Sequence, residues 1–496
     1  MHSLAYTGPA LSKSRFLAGL QCPLRLWFQC YQREVASPVT PALAAIFEMG
    51  RRVGLLATQR FSGGRLIAED HFHHDRSVRT TRAAMADPTV PALFEAGFFE
   101  DGVRVRADIL ERLPGGAWNL IEVKSATGVK DEHHTDVAIQ YRVLRRAGVK
   151  VAGAYLMHID RGYLYDGGPL DLSRLFALAE LTEVAGGLEE FLTEDLAGLK
   201  RMLTSPSPPV VEPSRHCHRP NTCEFWAHCT KDKPADWIFY LSGITQEKME
   251  ALAAAGIDRI GDIPGDFPLT SIQQRIKDCV AGAAEYVSPD LKDRLTDVSY
   301  PVHFIDFETA APAVPRYPQT RPFQALPFQW SDHILSADGS LSHREFLHTE
   351  DQDPRPAFAA SVFDVLGDEG SIFIYTPYEK RILQETADAL PQYRDRVERL
   401  TGRFVDLHAV VRNHYYHPAF GGSFSIKAVL PALVPEMDYA QLAVQDGTQA
   451  SFAWLEMIDA ATPLQRCEAI ARDLLVYCGQ DTLAMVKIRE ELLRRC

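Results

Sequence analysis

Alternation of hydrophobic and polar positions predicts a β-hairpin in the first half of the chain. Residues 103–110 alternate in this way, and residues 118–124 continue the pattern after a Pro-Gly-Gly turn. Period two places Glu122 and Lys124 on one face of the second strand. Shortly after the hairpin, residues 136–141 are predicted to begin a helix.

The second half of the chain has a different series of predicted elements. Residues 237–297 have a mostly helical pattern. Within them, an amphipathic stretch at 245–255 lies between two Gly-Ile pairs, the spacing of a helix-hairpin-helix element or of a plain helical linker. Apolar residues 302–305 predict a strand, residues 372–375 a second strand, and residues 474–482 a helix.

Length and composition indicate several domains. The 496 residues, 46 % of them hydrophobic and 24 % charged, exceed what one core usually organises. A Pro-rich segment at 205–209 and a cysteine-containing segment at 217–229 mark the end of the first domain. We therefore expect an α/β protein with a first domain at residues 1–236, a helical linker at 237–297 and a third unit at 298–496.

The chain has no run of about eighteen apolar residues, and residues 1–6 lack a basic region followed by an apolar stretch. A cytoplasmic protein with no membrane partner is therefore expected. In that reducing compartment, clustered thiols among the nine cysteines are expected to bind metal rather than to form disulfides.

The net charge of −13 argues against indiscriminate coating of nucleic acid. Basic and acidic residues balance within residues 1–236, so the acidic excess lies beyond them and a local basic groove is compatible with the first part. The residues expected to line such a groove, or else a solvated helix face, are Arg51, Arg52, Arg60, Arg142, Arg145, Arg146 and Lys150.

Asp108, Glu122 and Lys124 form a first set of residues suited to phosphodiester cleavage. The two carboxylates are predicted to hold a hard divalent cation through oxygen atoms, while Lys124 steadies the attacking water or the developing charge. Gln140, on the following helix, is predicted to position substrate or water near that cation. A lone Glu-X-Lys is common as a surface ion pair, so the prediction depends on the ordered set.

Asp306 and Glu308 end the strand that opens the third unit, and alternation points both carboxylates the same way. Such a pair suits two shared divalent cations about 3.5–4 Å apart. Glu379 is predicted to supply the next acid. Tyr477 and Asp481 lie one helical turn apart, so the tyrosine can orient a nucleophilic water while the aspartate completes the metal site.

Four cysteines flank the region that contains Asp108, Glu122 and Lys124, one before it and three after it. Cys22 stands alone near the start, and Cys217, Cys223 and Cys229 follow as Cys-X5-Cys-X5-Cys. This spacing favours an iron–sulfur cluster over structural zinc, which usually uses Cys-X2–4-Cys knuckles; unligated thiols are the remaining alternative. The other five cysteines are interpreted as ordinary thiols: Cys30, Cys279, Cys467, Cys478 and Cys496.

In order and spacing, Asp108, the Glu-X-Lys pair and Gln140-Tyr141 resemble the RecB-type PD-(D/E)XK nucleases. With the outlying cysteines, the region is similar to the CRISPR-associated RecB-like exonucleases and to the nuclease domain of the AddAB helicase–nuclease. The resemblance implies that Cys22 and the later triplet ligate a 4Fe–4S cluster.

The first domain departs from that family pattern at one point. Many of these nucleases carry a metal-binding His on an early helix, a position that residues 47–54 fill without a histidine. Glu48 or Glu95 is expected to supply an oxygen ligand instead. The histidines at 71, 73 and 74 are expected to lie in an exposed loop rather than to bind the metal.

The paired strand acids, a middle acid and the Tyr-X3-Asp pair resemble the DEDD exonucleases of the RNase H-like superfamily, in the tyrosine-bearing subclass. This resemblance implies 3′–5′ exonuclease chemistry. The middle motif departs from the pattern, because Thr376 and Glu379 stand where Asn and Asp are expected. Asp406 is the alternative to Glu379 as the middle acid, or else a residue that supports the metal ligands from behind.

Nearly the whole chain, from residues 12–15 to residues 422–427, resembles a bacterial family that fuses a RecB-type iron–sulfur nuclease to an RNase H-like domain. The resemblance implies a DNA nuclease with two sites, dependent on Mg²⁺ or Mn²⁺, that acts on single-stranded or frayed ends in repair or in defence against foreign DNA. No Gly-X4-Gly-Lys-Ser/Thr loop is present, so a separate helicase or a pre-existing end would present the strand. Two alternatives stay open: one active site with the other as a strand guide, and a nucleic-acid-binding or helicase adaptor that cuts nothing.

Overall fold

The computed structural model describes Tyr6 and residues 8–496. The chain forms two units: the first contains Met1–Asp232 and Pro312–Phe323, and the second contains Lys233–Ala311 and Gln324–Cys496. Residues 1–5, which enter the expectation of a cytoplasmic location, lie outside the described residues. Within the described chain, no helix is both long and apolar enough to cross a membrane.

The first unit combines a mixed sheet with helices. Its elements are, in chain order, β1 Leu11–Ser12, α1 Lys13–Gln21, α2 Pro23–Tyr31, α3 Pro41–Thr58, β2 Arg65–Leu66, α4 His74–Ala86, β3 Ala92–Glu100, β4 Val103–Arg112, β5 Trp118–Lys124, α5 Asp131–Arg146, β6 Val151–Ile159, α6 Leu172–Leu175, β7 Phe176–Glu180, α7 Thr182–Gly187, α8 Glu189–Leu203 and α9 Trp226–Thr230.

The predicted hairpin is present as β4 and β5, which pair antiparallel with Ile109 opposite Ile121. Both strands lie inside a sheet ordered β2-β3-β4-β5-β6-β7, and β1 pairs in parallel with β4. Strands β5 and β6 are parallel and α5 connects them; this helix begins at Asp131, earlier than predicted. Leu120 on the sheet and Val137 on the helix share one hydrophobic core.

A short segment at 312–323 belongs to the first unit. Within that unit, the backbone N–H of Tyr165 donates to the carbonyl of Thr320 at 3.0 Å. Ala313 is buried in the same hydrophobic cluster as Ile109, and Phe323 packs against that cluster. The core of the first unit therefore draws on residues that are distant in the sequence.

The second unit also combines helices with a mixed sheet. Its elements are α10 Gln246–Ala254, α11 Ser271–Gly282, β8 Tyr286–Val287, α12 Leu291–Thr296, β9 Val302–Ala310, β10 Leu326–Leu335, β11 Leu341–Leu347, α13 Arg355–Leu366, β12 Ser371–Ile374, α14 Tyr378–Ala389, α15 Arg394–Leu400, β13 Phe404–Asp406, α16 Leu407–His414, β14 Tyr415–Tyr416, α17 Ile426–Leu433, α18 Gly447–Met457 and α19 Leu464–Arg494.

Strand β9 is the centre of the larger sheet in this unit, which is ordered β11-β10-β9-β12-β13. It pairs antiparallel with β10 and in parallel with β12, and its residues are buried on both faces. Helix α19, of 31 residues, packs against β9 and β10 and contains the helix predicted at 474–482. Both units together make this a mixed α/β protein. The strand predicted at 302–305 lies within β9, and the strand predicted at 372–375 corresponds to β12, which ends at Ile374.

The expectation of an exposed histidine loop holds for His73, which is exposed, but not for His74. Residues 71–73 form a 3₁₀ turn, and His74 begins α4 as a buried residue whose Nε2 lies 2.9 Å from the carbonyl oxygen of Phe98. The reason is local: the Asp70 carboxylate accepts from the backbone N–H of His73 at 3.1 Å and so caps the turn.

Candidate active sites

Asp108, Glu122 and Gln140 come together where the β4–β5 hairpin opens. Asp108 Oδ2 accepts from the backbone N–H of Val123 at 2.8 Å, beyond the last strand pair. Glu122 is only 1 % exposed, and its Oε2 accepts from Gln140 Nε2 at 2.7 Å. Gln140, on α5, therefore fixes the orientation of the Glu122 carboxylate, which lies on the strand face predicted from the alternation.

Two lysines bridge the same pair of carboxylates in this first site. Lys124 Nζ lies 2.6 Å from Glu122 Oε1 and 2.6 Å from Asp136 Oδ2. Lys13 Nζ, from the start of α1, lies 2.7 Å from Glu122 Oε1 and 3.0 Å from Asp136 Oδ1. The sequence did not mark Lys13 or Asp136 as site residues. Asp136 stands one helical turn before Gln140, a usable signal, whereas nothing around Lys13 in the sequence indicates the contact.

The lysines control the charge of the first site. Burial would raise the pKa of Glu122, but the ammonium groups of Lys13 and Lys124 hold it well below its usual range. Burial and the charge of Glu122 raise the pKa of Asp108 to about 8. With every group ionised, Asp108, Glu122 and Asp136 exceed the two lysines by one negative charge, so the site attracts a cation only modestly.

Glu48 and Glu95, the alternative oxygen ligands, contact arginines instead. Glu48 on α3 accepts from Arg51 at 2.7 Å and from Arg52 at 3.0 Å. Glu95 lies beside Asp108 in the β3–β4 register, at an interruption of the strand pairing where its φ is +57°, but its carboxylate is 3.1 Å from Arg106 Nε. Of the two, only Glu95 neighbours the first site in the sheet.

The predicted basic groove is largely neutralised. Arg142 is 2 % exposed and pairs with Asp101 at 2.9 Å, so it cannot line a groove. Arg145 and Arg146 lie 3.5 and 3.7 Å from Glu189. Arg51 and Arg52 pair with Glu48. Among the described residues, no carboxylate forms an ion pair with the two remaining members of the predicted set, Arg60 and Lys150.

Cys22, Cys217, Cys223 and Cys229 line one cavity in the first unit, as free thiols. Burial raises the pKa of Cys223 to about 12. Burial, with Cys217 and Cys22 nearby, raises the pKa of Cys229 to about 11. Among the described residues, no three of these four sulfur atoms lie within 4.8 Å of one another.

Side-chain contacts join the Cys22 end of the cavity to the triplet. Gln21 Nε2 donates to the carbonyls of His216 at 2.9 Å and Asn221 at 3.0 Å. Arg25 NH2 lies 2.8 Å from the Glu224 carboxylate. These bonds fix the end of α1 and the start of α2 against the cysteine-containing segment.

The second site lies between β9 and α19. One carboxylate oxygen each from Asp306 and Glu308, together with Cys478 Sγ, lie within 4.8 Å of one another, and no other group of three His, Cys, Asp or Glu residues in the described chain is as compact. The carboxylates share a face as alternation predicts. Cys478, interpreted from sequence as an ordinary thiol, follows Tyr477 directly, and that neighbour was the available signal.

Three more predicted residues surround this pair. Glu379, at the start of α14, is 4 % exposed, and its Oε2 is buried without a hydrogen-bond partner. Asp481, 8 % exposed, accepts from the hydroxyl of Tyr439 at 2.5 Å, and Tyr477 beside it is buried. By contrast, Asp406 caps α16 by accepting from the backbone N–H of Ala409 at 2.8 Å.

Repulsion dominates the electrostatics of the second site. Burial and the charges of Asp481 and Glu379 raise the pKa values of Asp306 and Glu308 well above their usual range. Burial raises the pKa of Glu379 to about 8 and that of Asp481 to about 6. Lys427, which the sequence did not mark as a site residue, opposes the shifts at Glu308 and Asp481. The four carboxylates outnumber the one ammonium, so this group of residues could hold a cation.

One comparison with known proteins, a match to a family model, covers part of the second unit. Residues 303–425 match the family described as "Domain of unknown function (DUF2779)", a range that includes Asp306, Glu308 and Glu379. No curated protein matches the chain. A solved structure titled "Crystal structure of SSO0001" is similar over 40 % of this chain and 87 % of its own, at 13 % sequence identity and a TM-score of 0.19.

Proposed function

We propose that the protein is a metal-dependent deoxyribonuclease with two hydrolytic sites, one in each unit, acting on single-stranded or frayed DNA ends in repair or in defence. The observation that carries the proposal is the cluster of Asp306, Glu308, Glu379 and Asp481. These four carboxylates, three of them buried and that of Asp306 half-buried, repel one another unless a cation offsets their charge. Oxygen-rich, acidic sites of this kind bind Mg²⁺ or Mn²⁺.

In the second unit, we assign the cation to Asp306, Glu308 and Asp481, with Glu379 as the fourth acid. A divalent cation bound there would supply Lewis acidity and lower the pKa of a bound water. Tyr439 orients Asp481 through the 2.5 Å hydrogen bond. Lys427 Nζ lies 5.8 Å from the centre of the Tyr477 ring and holds positive charge beside the site. The paired strand acids and the helical Tyr-X3-Asp pair support the RNase H-like interpretation.

In the first unit, we assign a cation to Asp108 and Glu122, as the PD-(D/E)XK interpretation expects. Gln140 fixes the orientation of the Glu122 carboxylate by its 2.7 Å bond. Lys124 holds its ammonium next to the Glu122 carboxylate. In this position it would stabilise the negative charge that develops on the phosphate during cleavage. The smaller charge excess of this site favours weaker cation binding than in the second unit.

We propose that the four cysteines of the cavity ligate a 4Fe–4S cluster. Tetrahedral zinc with bonds of about 2.3 Å would need sulfur atoms about 3.8 Å apart. Among the described residues, no three of the four sulfurs lie within 4.8 Å of one another, and the Cys-X5-Cys-X5-Cys spacing differs from that of zinc knuckles; both support a larger group. Four thiolates complete the ligand set of such a cluster, so a structural role is proposed for it. A brown protein with broad absorption at about 400 nm is expected, and colourless anaerobic protein with stoichiometric zinc would contradict it.

The two sites can be separated by isosteric changes that remove one charge. Asp108→Asn, Glu308→Gln and the double variant are compared on end-labelled single strands with Mg²⁺ or Mn²⁺. Each single change is expected to lower one cleavage activity by roughly 10²-fold or more, and the double change to abolish both. Asp195→Asn and Glu398→Gln, on exposed helix faces of the first and second units, are the matched controls.

Other outcomes of this comparison choose between the alternatives. Loss of all cleavage through one site, with the other change affecting only binding, would make the second site a strand guide. DNA binding without hydrolysis at every Mg²⁺ and Mn²⁺ concentration would decide for the adaptor. If neither single change alters rate or polarity, the two-site proposal is wrong.

A further inference from the structure

Helix α1 carries a residue of the first carboxylate site at one end and a cavity cysteine at the other. Lys13 is its first residue, and Cys22 follows its last. Nine residues make a rigid rod about 13 Å long. The rod is well fixed, because Ser12 Oγ accepts from the backbone N–H of Arg15 at 3.1 Å and the side chain of Phe16 is fully buried.

Lys13 has no role in the sequence-based assignment of the site, yet it makes two of the four lysine–carboxylate ion pairs there. Its Nζ contacts Glu122 Oε1 at 2.7 Å and Asp136 Oδ1 at 3.0 Å, which gives both carboxylates a second ammonium beside Lys124. A fixed ammonium at this position does part of what a second cation would do. It offsets negative charge and holds the two carboxylates in one orientation.

The other end of α1 packs against Leu199 of α8 and Leu26 of α2 near Gly19, and its last residues contact the cysteine-containing segment. Gln21 Nε2 bonds to the carbonyls of His216 and Asn221, which flank Cys217, and Cys22 lines the same cavity as Cys217. A shift of the cavity lining would therefore act on the end of α1, and the helix would transmit that shift to Lys13 at its start.

We propose that α1 couples the four-cysteine cavity to the first carboxylate site, with Lys13 as a positioning residue whose ammonium sets how strongly that site binds a divalent cation. The inference rests on the proposed function of the first unit. Under this proposal, the four-cysteine cavity affects how strongly the first carboxylate site binds a divalent cation, although none of its cysteines belongs to that site. This role is additional to the stabilisation of the first unit.

Mn²⁺ binding followed by electron paramagnetic resonance tests the proposal without measuring cleavage. The full chain carries Glu308→Gln and Asp481→Asn so that the second site is silent. In this background, Lys13→Gln is expected to raise Mn²⁺ affinity about tenfold at low ionic strength, because it removes a positive charge next to the ligands. Lys13→Arg keeps the charge and is expected to bind like the parent. Lys150→Gln, an exposed lysine of the same unit, is the matched control.

A double-mutant cycle tests the coupling itself. Cys22→Ser, or Gln21→Ala, which keeps all four thiols, is expected to raise Mn²⁺ affinity in the same direction as Lys13→Gln. Combined with Lys13→Gln, either change should add less than twofold, because the ammonium is already gone. Additive effects, or no effect of either cavity variant, would overturn the coupling.

Failure of the proposed function gives a different result. Mn²⁺ that binds in the parent and is lost in Asp108→Asn establishes a cation site in the first unit. With that site established, equal affinities in Lys13→Gln, Lys13→Arg and the parent would overturn the proposal for Lys13 alone. Absence of any Asp108-dependent Mn²⁺, even in Lys13→Gln, would overturn both the coupling and the metal site on which it rests.

Discussion

At the scale of single residues, the two sites differ in whether nearby positive charge keeps their buried carboxylates ionised. Glu122 shares its charge with two lysines and stays ionised, since their ammonium groups outweigh burial and keep its pKa low. Glu379 has a buried oxygen without a hydrogen-bond partner, and burial raises its pKa to about 8. Without a cation, the second site therefore takes up protons, whereas Glu122 in the first site does not.

Proton uptake by Glu379 has a consequence for stability. Its pKa of about 8 in the folded protein exceeds the value of about 4.3 in an unfolded chain, so folding favours the protonated form between these values. The free energy of unfolding of the metal-free protein is thus expected to fall as the pH rises from about 5 to 8. Glu379→Gln should reduce this fall by about 1 kcal/mol or more in urea unfolding with a chelator present. Equal slopes for Glu379→Gln and for the exposed control Glu398→Gln would contradict it.

At the scale of elements, a close backbone approach joins the segment before α10 to the loop before α17 within the second unit. Gly422 has φ +80°, and a Cβ there would overlap the carbonyl oxygen of Tyr240. Gly421 beside it also has a positive φ, +55°, but its Cβ would meet nothing within 4 Å. Substituting each glycine by alanine therefore distinguishes the free-energy cost of a positive φ, which both positions share, from the cost of a backbone clash, which only Gly422 has.

Gly422→Ala is expected to lower the free energy of unfolding of the second unit by about 3 kcal/mol or more, because conformational strain and a backbone clash act together. Gly421→Ala should cost only about 1 kcal/mol, from conformation alone. Denaturant unfolding of both variants measures the difference. Equal losses would mean that the backbones at these positions are farther apart than described.

Sequence patterns predicted the parts of each site that share one element. Alternation placed Glu122 with Lys124 and Asp306 with Glu308, because strand geometry is local. It missed Lys13, since the approach of α1 to β5 depends on packing between distant segments. Arg142 was misassigned to a basic surface because its partner, Asp101, lies on a separate turn that the helical pattern does not reveal.

Other departures have similar causes. Tyr439 and Lys427 reach the second site from outside the predicted strands and helix, so no periodicity links them to Asp481. The helix around Tyr477 was predicted too short, because α19 continues as a 31-residue helix beyond the segment that carries the motif. Elements were thus more predictable than their ends, and motif residues more predictable than the side chains that neutralise them.

At the scale of the whole molecule, the cysteine cavity closes most of the first unit into one loop, from Cys22 to the triplet beginning at Cys217. Restricting so long a loop reduces the entropy of the unfolded chain, an effect that grows slowly with loop length. If a cluster is bound, Cys22→Ser should lower the stability of the first unit by about 4 kcal/mol and remove the absorption at about 400 nm.

Cys30→Ser is the matched control for this change. Cys30 lies on α2 in the same unit and does not line the cavity. Calorimetry of anaerobically prepared protein should give a lower melting temperature for Cys22→Ser than for Cys30→Ser. Indistinguishable melting of the two variants would show that Cys22 does not hold the unit closed.

The segment at 312–323 determines how the protein can be dissected. Because Ala313 and Phe323 belong to the core of the first unit, a fragment that stops at residue 232 lacks part of that core. The shortest uninterrupted stretch that restores it runs to residue 323 and brings β9 along without its neighbours β10 and β12. An unpaired, apolar central strand of this kind invites aggregation. Truncated fragments are therefore unsuitable for assigning an activity to either unit, and point substitutions in the full-length chain should be used instead.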